Sequence, residues 1–440
     1  MTSLVQVGYG QAFNLLRYND DLSSLPHDSL KNAYEKFKMT RLGDTGYASF
    51  GGEVRYLPQN FANEDWGDGP VREYTAFYSR FLFHSDVQVN KSLRFFAQFN
   101  STFANGRVTP IRRIDENRFS VHQLFADIRI SNAITLRAGR QELLYGSQRL
   151  VAVREGPNNR LNFDAAKLMM QQHNTSVDLF YSAPVQQRLS VVDDEINREE
   201  ALWGVYIIQK SVPILKNIDL YYLGLNRDRA TFDAGTGREL RHSIGTRWWN
   251  KAARWDYDFE AVYQFGEYSV GRIRAWTASL HANYQLTNGK KPFWVGLKTE
   301  VISGDNNRND DQLNTFNPLY PRGAYFGLAA LIGPANLVDV HPGVKWQVRQ
   351  NVTLSADLDL FWRHSLSDGI YGPNVALIYS GENSRARLIV EQLGINAEIT
   401  PSKHLSIVPE FTWFHAGPYL KEVSTGRDVF FSALTLQFKY

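Results

Sequence analysis

The sequence predicts an all-β fold: a transmembrane, antiparallel, up-and-down β-barrel of about eighteen strands, with short periplasmic turns and long extracellular loops. Three observations carry this. Apolar and polar residues alternate with a period of two from about residue 46 to residue 440. The alternating runs are about ten to thirteen residues long, enough to cross a bilayer at a tilt. The connections between them are alternately brief and long, as a barrel with one plain and one elaborated rim requires.

The stretch 1–45 stands apart. Leu30, Ala33, Tyr34 and Phe37 fall at helical spacing behind Asp28, which predicts a short helix in a periplasmic lead-in or partial lumen segment. The barrel domain then covers 46–440. Its strands are expected at 46–57, 73–89, 92–102, 119–130, 133–141, 162–171, 174–183, 200–210, 217–226, 239–249, 254–266, 271–286, 292–304, 336–348, 352–363, 387–399, 404–415 and 429–440. The clearest has Trp255, Tyr257, Phe259, Ala261, Tyr263 and Phe265 alternating with Arg254, Asp256, Asp258, Glu260 and Gln264. A second sets Val352, Leu354, Ala356, Leu358, Leu360 and Trp362 against Thr353, Ser355, Asp357, Asp359 and Arg363. A helix would smear both faces around its axis, whereas a strand separates them.

Brief connections are expected at 90–91, 131–132, 172–173, 211–216, 250–253, 349–351 and 400–403. Long ones are expected at 58–72, 103–118, 142–161, 184–199, 227–238, 305–335, 364–386 and 416–428, with 267–270 an unusually brief member of that set. Trp248, Trp255, Trp362, Trp413, Tyr56 and Tyr222 stand near the ends of apolar faces, as an interfacial aromatic girdle would. The last strand closes on Leu434, Leu436, Phe438 and Tyr440 along one face.

Composition excludes other classes. With 43% hydrophobic residues and Trp, Tyr and Phe numbering 10, 22 and 27, the chain is not a disordered one. No cysteine is present, so a disulfide scaffold or cysteine-ligated metal domain is impossible. A net charge of +3 gives no blanket basic field for nucleic acid. Helical spans need about 20 consecutive apolar residues, and the longest apolar-leaning stretch, Ala324 to Ile332, is far shorter. Met1, Thr2 and Ser3 begin no basic-then-apolar leader, so the chain reads as the mature form of an exported protein rather than a cytoplasmic one.

If apolar residues face lipid, their neighbours face the lumen. That register places Arg55, Arg80, Arg94, Arg129, Arg137, Lys167, Arg241, Arg247, Lys298, Lys345 and Arg363 inside, with acidic neighbours such as Glu53, Asp127, Asp258, Glu260, Glu300, Asp339, Asp357 and Asp359. A mid-bilayer Arg or Lys costs roughly 2–4 kcal/mol, so a watery interior is the natural place for these charges. Catalytic patterns are weak. The ten histidines are scattered, with no HExxH, and no enzymatic role or cofactor is assigned. Asp305, Asn307 and Asn309 have calcium-loop spacing, but Asp310 stands where Gly is needed and Phe316 where Glu is needed, so no metal is assigned.

The run Gly139-Arg140-Gln141-Glu142-Leu143-Leu144-Tyr145-Gly146-Ser147-Gln148-Arg149-Leu150, followed by Arg154-Glu155-Gly156-Pro157-Asn158-Asn159-Arg160, resembles the alginate-export family of outer-membrane porins. Leu16-Arg17-Tyr18-Asn19-Asp20-Asp21, Gly51-Gly52-Glu53-Val54-Arg55, the run Thr315 to Gly323, Gly333 to Leu337, and Trp362-Arg363 before Asp368-Gly369-Ile370-Tyr371 extend the likeness along the chain. The resemblance implies an eighteen-stranded monomer in the bacterial outer membrane, among lipid and lipopolysaccharide. It also implies passive passage of an anionic, alginate-like polysaccharide or oligosaccharide through an arginine-lined lumen, and leaves room for a periplasmic export partner. Substrate-binding candidates by motif are Arg140, Arg149, Arg154, Arg160, Arg322 and Arg363, joined by Arg55, Arg80, Arg129 and Arg247 from the lumen register. Strict alternation would aim Arg140 at lipid, and a bulge at Gly139 is expected to turn it inward. The competing expectation for these arginines is that Glu142, Glu155 or Asp164 pairs with them and pins loops to the wall. The segment 305–335, with Arg322 and the apolar run Tyr325 to Ile332, is the expected constriction. Rival functions are a small-solute porin for organic acids or sugars, and, of other classes, a barrel enzyme or an adhesin.

Overall fold

Strand period and strand pairing together decide the architecture. The computed structural model describes residues 13–20, 22, 32–43, 45–107, 111–252 and 254–440. Eighteen long strands follow one another in the chain: β1 Gly46–Ala62, β2 Glu73–Gln88, β3 Leu93–Asn105, β4 Asn117–Arg129, β5 Ile134–Gln141, β6 Phe163–Gln172, β7 Thr175–Gln186, β8 Glu200–Val212 and β9 Lys216–Phe232. They continue with β10 Gly235–Lys251, β11 Trp255–Tyr268, β12 Gly271–Thr287, β13 Phe293–Ile302, β14 Leu337–Arg349, β15 Val352–Arg363, β16 Leu388–Ile399, β17 Leu405–Ala416 and β18 Val429–Lys439. Each pairs antiparallel with its neighbour, and β18 returns to pair with β1, from Glu53 opposite Lys439 to Ala62 opposite Phe430. The sheet is closed, so no barrel strand is left with an open edge.

All eighteen expected segments are strands. The alternation sorts their faces as expected: Trp255, Tyr263, Leu354 and Leu358 are exposed on the outside, while Glu260, Gln264, Asp359 and Arg363 are buried inside. Boundaries differ most at two places. β1 runs through Pro58 to Ala62. The long loop expected at 227–238 is instead strand: β9 continues to Phe232 and β10 starts at Gly235. Phe232 packs edge-on to Tyr268 and Tyr371, so this protruding ribbon earns its ordered pairing by covering the rim. The other long connections, 63–72, 106–116, 142–162, 187–199, 303–336, 364–387 and 417–428, lie at one end of the barrel, and turns such as 89–92, 173–174 and 350–351 lie at the other.

The lead-in contains a helix, α1, over Ala33–Lys38. Its cap is Asn32, whose side chain accepts from the Glu35 N–H while Glu35 answers the Asn32 N–H. Asp28 and Leu30 lie outside the described residues. Nearer the start, Tyr18 is seated edge-on against Phe96 and Phe125 on the inner wall at the short-turn end. The Arg17 guanidinium donates to Gly52 O and Tyr440 O, each at 2.9 Å.

The outward face yields a direct check. Ile244, in β10, is 54% exposed among other apolar side chains. Ile244→Lys should cost roughly 2–4 kcal/mol if that face meets hydrocarbon, read from urea unfolding in lipid vesicles. A loss below 0.5 kcal/mol would mean that this position meets water.

Candidate functional site

The long connections 142–162 and 303–336 turn back into the bore. Residues Val151, Ala152 and Val153 of 142–162 are 0% exposed, although a loop over water would leave them wet. They are held by the loop 303–336. Tyr320 N–H donates to Leu150 O at 2.8 Å, Ala152 N–H to Tyr320 O at 2.9 Å, and Arg322 N–H to Gln148 O at 3.1 Å. This short parallel ribbon satisfies backbone groups that no wall strand could reach. The expected inward fold of 305–335 is present: Tyr325 donates to Glu300 on β13, Phe326 stacks edge-on against Phe361 on β15, and Gln392 on β16 donates to Phe326 O.

Charged groups fix both loops to the wall. Arg80 is 0% exposed and Glu53 2%, and Arg80 Nε donates to Glu53 at 2.9 Å. Arg80 also meets Glu155, which in turn pairs with Arg160. Arg160 lies 3.6 Å from both Glu53 and Glu142. Arg55 donates to Glu155 O and Pro157 O, and Asn158 Nδ2 reaches Ser79 O, Phe103 O and Asp115 O. The motif Arg154 to Arg160 is therefore a latch, built by non-local pairing. Burial pushes the Glu155 carboxyl upward, but Arg160, Arg80 and Arg55 outweigh it and hold the group well below the usual carboxylate range. On the opposite wall Arg149 pairs with Glu300 and approaches Glu260 to 3.4 Å, while Arg247 grips Asp258 and Asp219.

The remaining candidates divide. Arg363 is fully buried and donates to Leu366 O, Ser384 O and Ala386 O, shaping the loop 364–387, with its guanidinium over the Tyr419 ring. Arg129 is exposed at the short-turn rim, two residues beyond inward Asp127. Arg140 corrects an expectation. The pairing of β5 with both neighbours runs unbroken through Gly139, so no bulge turns the chain. Arg140 faces outward beside exposed Leu124 and makes a two-pronged bond with Asp164 at 2.8 and 3.0 Å. The pinning role is thus realised at Arg55, Arg80, Arg149 and Arg160, while Arg247 ties neighbouring wall strands together.

Arg154 and Arg322 differ. Among the described residues neither has a carboxylate within 4.0 Å; Arg154 donates to Pro321 O and Arg322 to Tyr325 O, and Arg322 Nε has no partner. Burial drives the Arg154 guanidinium down to about 10, with Arg227 adding to the shift, so it remains a cation at neutral pH that lacks a counter-charge. Burial also lowers Arg322, and Arg149 lowers it further. Arg154 opens on a cleft of about 350 Å³ lined by Arg227, Arg229, Tyr320, Glu200 and residues 374–376. Arg227 pairs with Glu200 at 3.3 Å and lies over the Tyr320 ring, and Tyr320 donates to Glu200 at 2.7 Å. Sequence reasoning missed Arg227 and Arg229 because they fell in the expected loop; their signal was a basic pair beside a strand end.

A closed barrel with a charged bore and inward loops is matched by a family model described as alginate export, over residues 46–427. The chain belongs to the alginate export family. Barrels of similar fold include OccAB2 of Acinetobacter baumannii, at 9% identity and TM-score 0.56, covering 89% of this chain and 98% of that one. Pseudomonas aeruginosa OccK11 (OpdR) aligns at 13% identity and TM-score 0.55, covering 90% and 95%. P. aeruginosa OccK2 (OpdF), solved in complex with glucuronate, aligns at 9% identity and TM-score 0.55, covering 90% and 97%. No curated protein matches the sequence. This alginate export family member is a channel of the bacterial outer membrane and not an enzyme.

The latch and the outer pair should respond differently to truncation. Arg80→Ala leaves buried Glu53 with only the more distant Arg160 at 3.6 Å and should cost about 3–5 kcal/mol, whereas Arg140→Ala should cost about 0–1 kcal/mol because that pair is partly exposed. Equal losses in chemical unfolding would contradict the assignment. The pH dependence has a defined sign. A depressed Glu155 stabilises fully above the unfolded carboxyl value of 4.5 and ceases to do so only as pH falls through its lower folded value. The stability gap between wild type and Glu155→Gln should therefore be flat from about pH 7 to pH 5 and shrink in strong acid; a gap that closes by pH 5 would refute it.

Proposed function

We propose that the barrel passes carboxylated sugars of the uronate class, from single units to alginate-like oligosaccharides, by passive diffusion. The observation that carries this is the pair of interior guanidiniums, Arg154 and Arg322, without carboxylate partners, the first opening on a basic cleft of about 350 Å³. An arginine fork meets a carboxylate with two parallel hydrogen bonds, and a uronate offers one carboxylate per sugar. Two partly dehydrated cations in succession lower the barrier for an anion without holding it so tightly that flow stops. The cleft volume is at the lower end of small-ligand sites, roughly 300–1,000 Å³, which favours engagement of a few sugar units at a time. The glucuronate bound by OccK2 is a ligand of this same chemistry. Arg55, Arg80, Arg149 and Arg160 serve passage indirectly in this reading, by holding the loops that shape the path, and Arg247 by bracing the wall. The long loops face the exterior and the short turns the periplasm, and each chain closes its own barrel as a monomer.

The test is single-channel recording in planar bilayers with chloride as the carrier ion. Glucuronate and short oligouronates should reduce the current, and Arg154→Gln with Arg322→Gln should weaken that block about 10- to 100-fold, the worth of one or two charge-assisted bonds. Block by small dicarboxylates and not by uronates would transfer the assignment to organic-acid uptake. No conductance at all would remove the channel reading.

A further inference from the structure

We propose that Asp339, His341 and Asp359 form a site for one divalent transition-metal ion, of the zinc or manganese kind, in the lumen wall. Residues 339 and 341 are alternate positions of β14, and 357 and 359 alternate positions of β15, so all four side chains reach the same inner face. Asp339, His341 and Asp359 are 2%, 5% and 1% exposed, and their donor atoms all lie within 4.8 Å of one another. An independent observation points to a missing ligand: buried Asp339 Oδ1 has no hydrogen-bond partner among the described residues. Buried carboxylates are ordinarily paired or bound to metal.

Charge balance agrees. Lys298 faces His341 from β13 as its register partner, and Arg149 is committed to Glu260 and Glu300. With Lys298 set against Asp339, Asp357 and Asp359, and the imidazole neutral, two negative charges remain, which is the charge of one divalent cation. The local geometry sets donors side by side. His341 Nδ1 abuts the Asp359 carboxylate, a nitrogen and an oxygen that one cation can share when the ring is neutral with its proton on Nε2. His341 Nε2 lies 3.1 Å from Asp357 Oδ2, a carboxylate on the far side of the ring, where carboxylate–histidine–metal arrangements place their outer acid. Gln392 Nε2 holds the other Asp359 oxygen at 3.2 Å. One imidazole nitrogen with carboxylate oxygens suits zinc or manganese; calcium prefers six to eight oxygens. An ion there would tie β14 to β15 behind the loop 303–336. It would also cancel negative charge in the wall and tilt the bore toward anions.

The chelator-treated, full-length barrel should be titrated calorimetrically with zinc chloride and, separately, manganese chloride. Expected is one ion per chain, a raised melting temperature, and affinity lowered at least about tenfold in Asp339→Asn, His341→Asn and Asp359→Asn. Reversal potentials should show chloride preference rising on metal addition in wild type and unchanged in His341→Asn. Absence of binding by both ions, or binding that survives all three substitutions, would overturn the site in favour of a protonated His341 bracing the wall. Should the variants fail to fold, anomalous scattering from zinc-soaked wild-type crystals decides: a peak among the three side chains supports the site, and peaks only elsewhere reject it.

Discussion

Hydrocarbon offers no hydrogen bonds, so every backbone N–H and C=O at membrane depth must find its partner within the sheet. The pairing of β18 with β1 meets that demand by leaving no edge. Once the sheet is closed, the period of two does the rest. One side chain in two meets lipid, and its neighbours are forced into a confined interior whatever their charge. The interior of this protein follows from that constraint, because a wall rich in Arg, Glu and Asp must neutralise itself or stay hydrated.

Neutralisation is largely accomplished by loops rather than by the wall alone. Glu155, Arg160 and Arg149 enter from the segment 142–162 and complete pairs with Arg80, Glu53, Glu260 and Glu300. The apolar Val151 to Val153 and Tyr320 then pack between them. Buried pairs of this kind contribute little net stability against an apolar alternative, yet are costly to break singly. They act as locators, holding the loop in one position across a polar bore. Residues left out of the pairing, Arg154 and Arg322 on the cationic side and Asp339 on the anionic side, are consequently where interaction with something else is concentrated.

The strands were legible because alternation is local and repeats along the chain. Even the weak segment 336–348, with Pro342 in it, is a strand, since Pro342 faces Leu297 in a register that tolerates it. The ribbon around 227–238 was not legible: its pairing is stabilised by Tyr268 and Tyr371, the latter 139 residues beyond Phe232, and nothing near Arg227 announces that contact. The same holds for the site. The motif residues of 139–160 stand out in the sequence, but whether an arginine is pinned or free depends on a carboxylate from another strand. Arg140 shows the limit in the other direction, because strict alternation gave its true face and a bulge inferred from one glycine did not.

The bond of Arg17 to both Gly52 and Tyr440 has a consequence for biogenesis. That guanidinium straddles the seam between the first and last strands of the barrel. The seam forms only once β18 has been brought to β1, and a side chain from the lead-in then clasps the ladder that the two strands make.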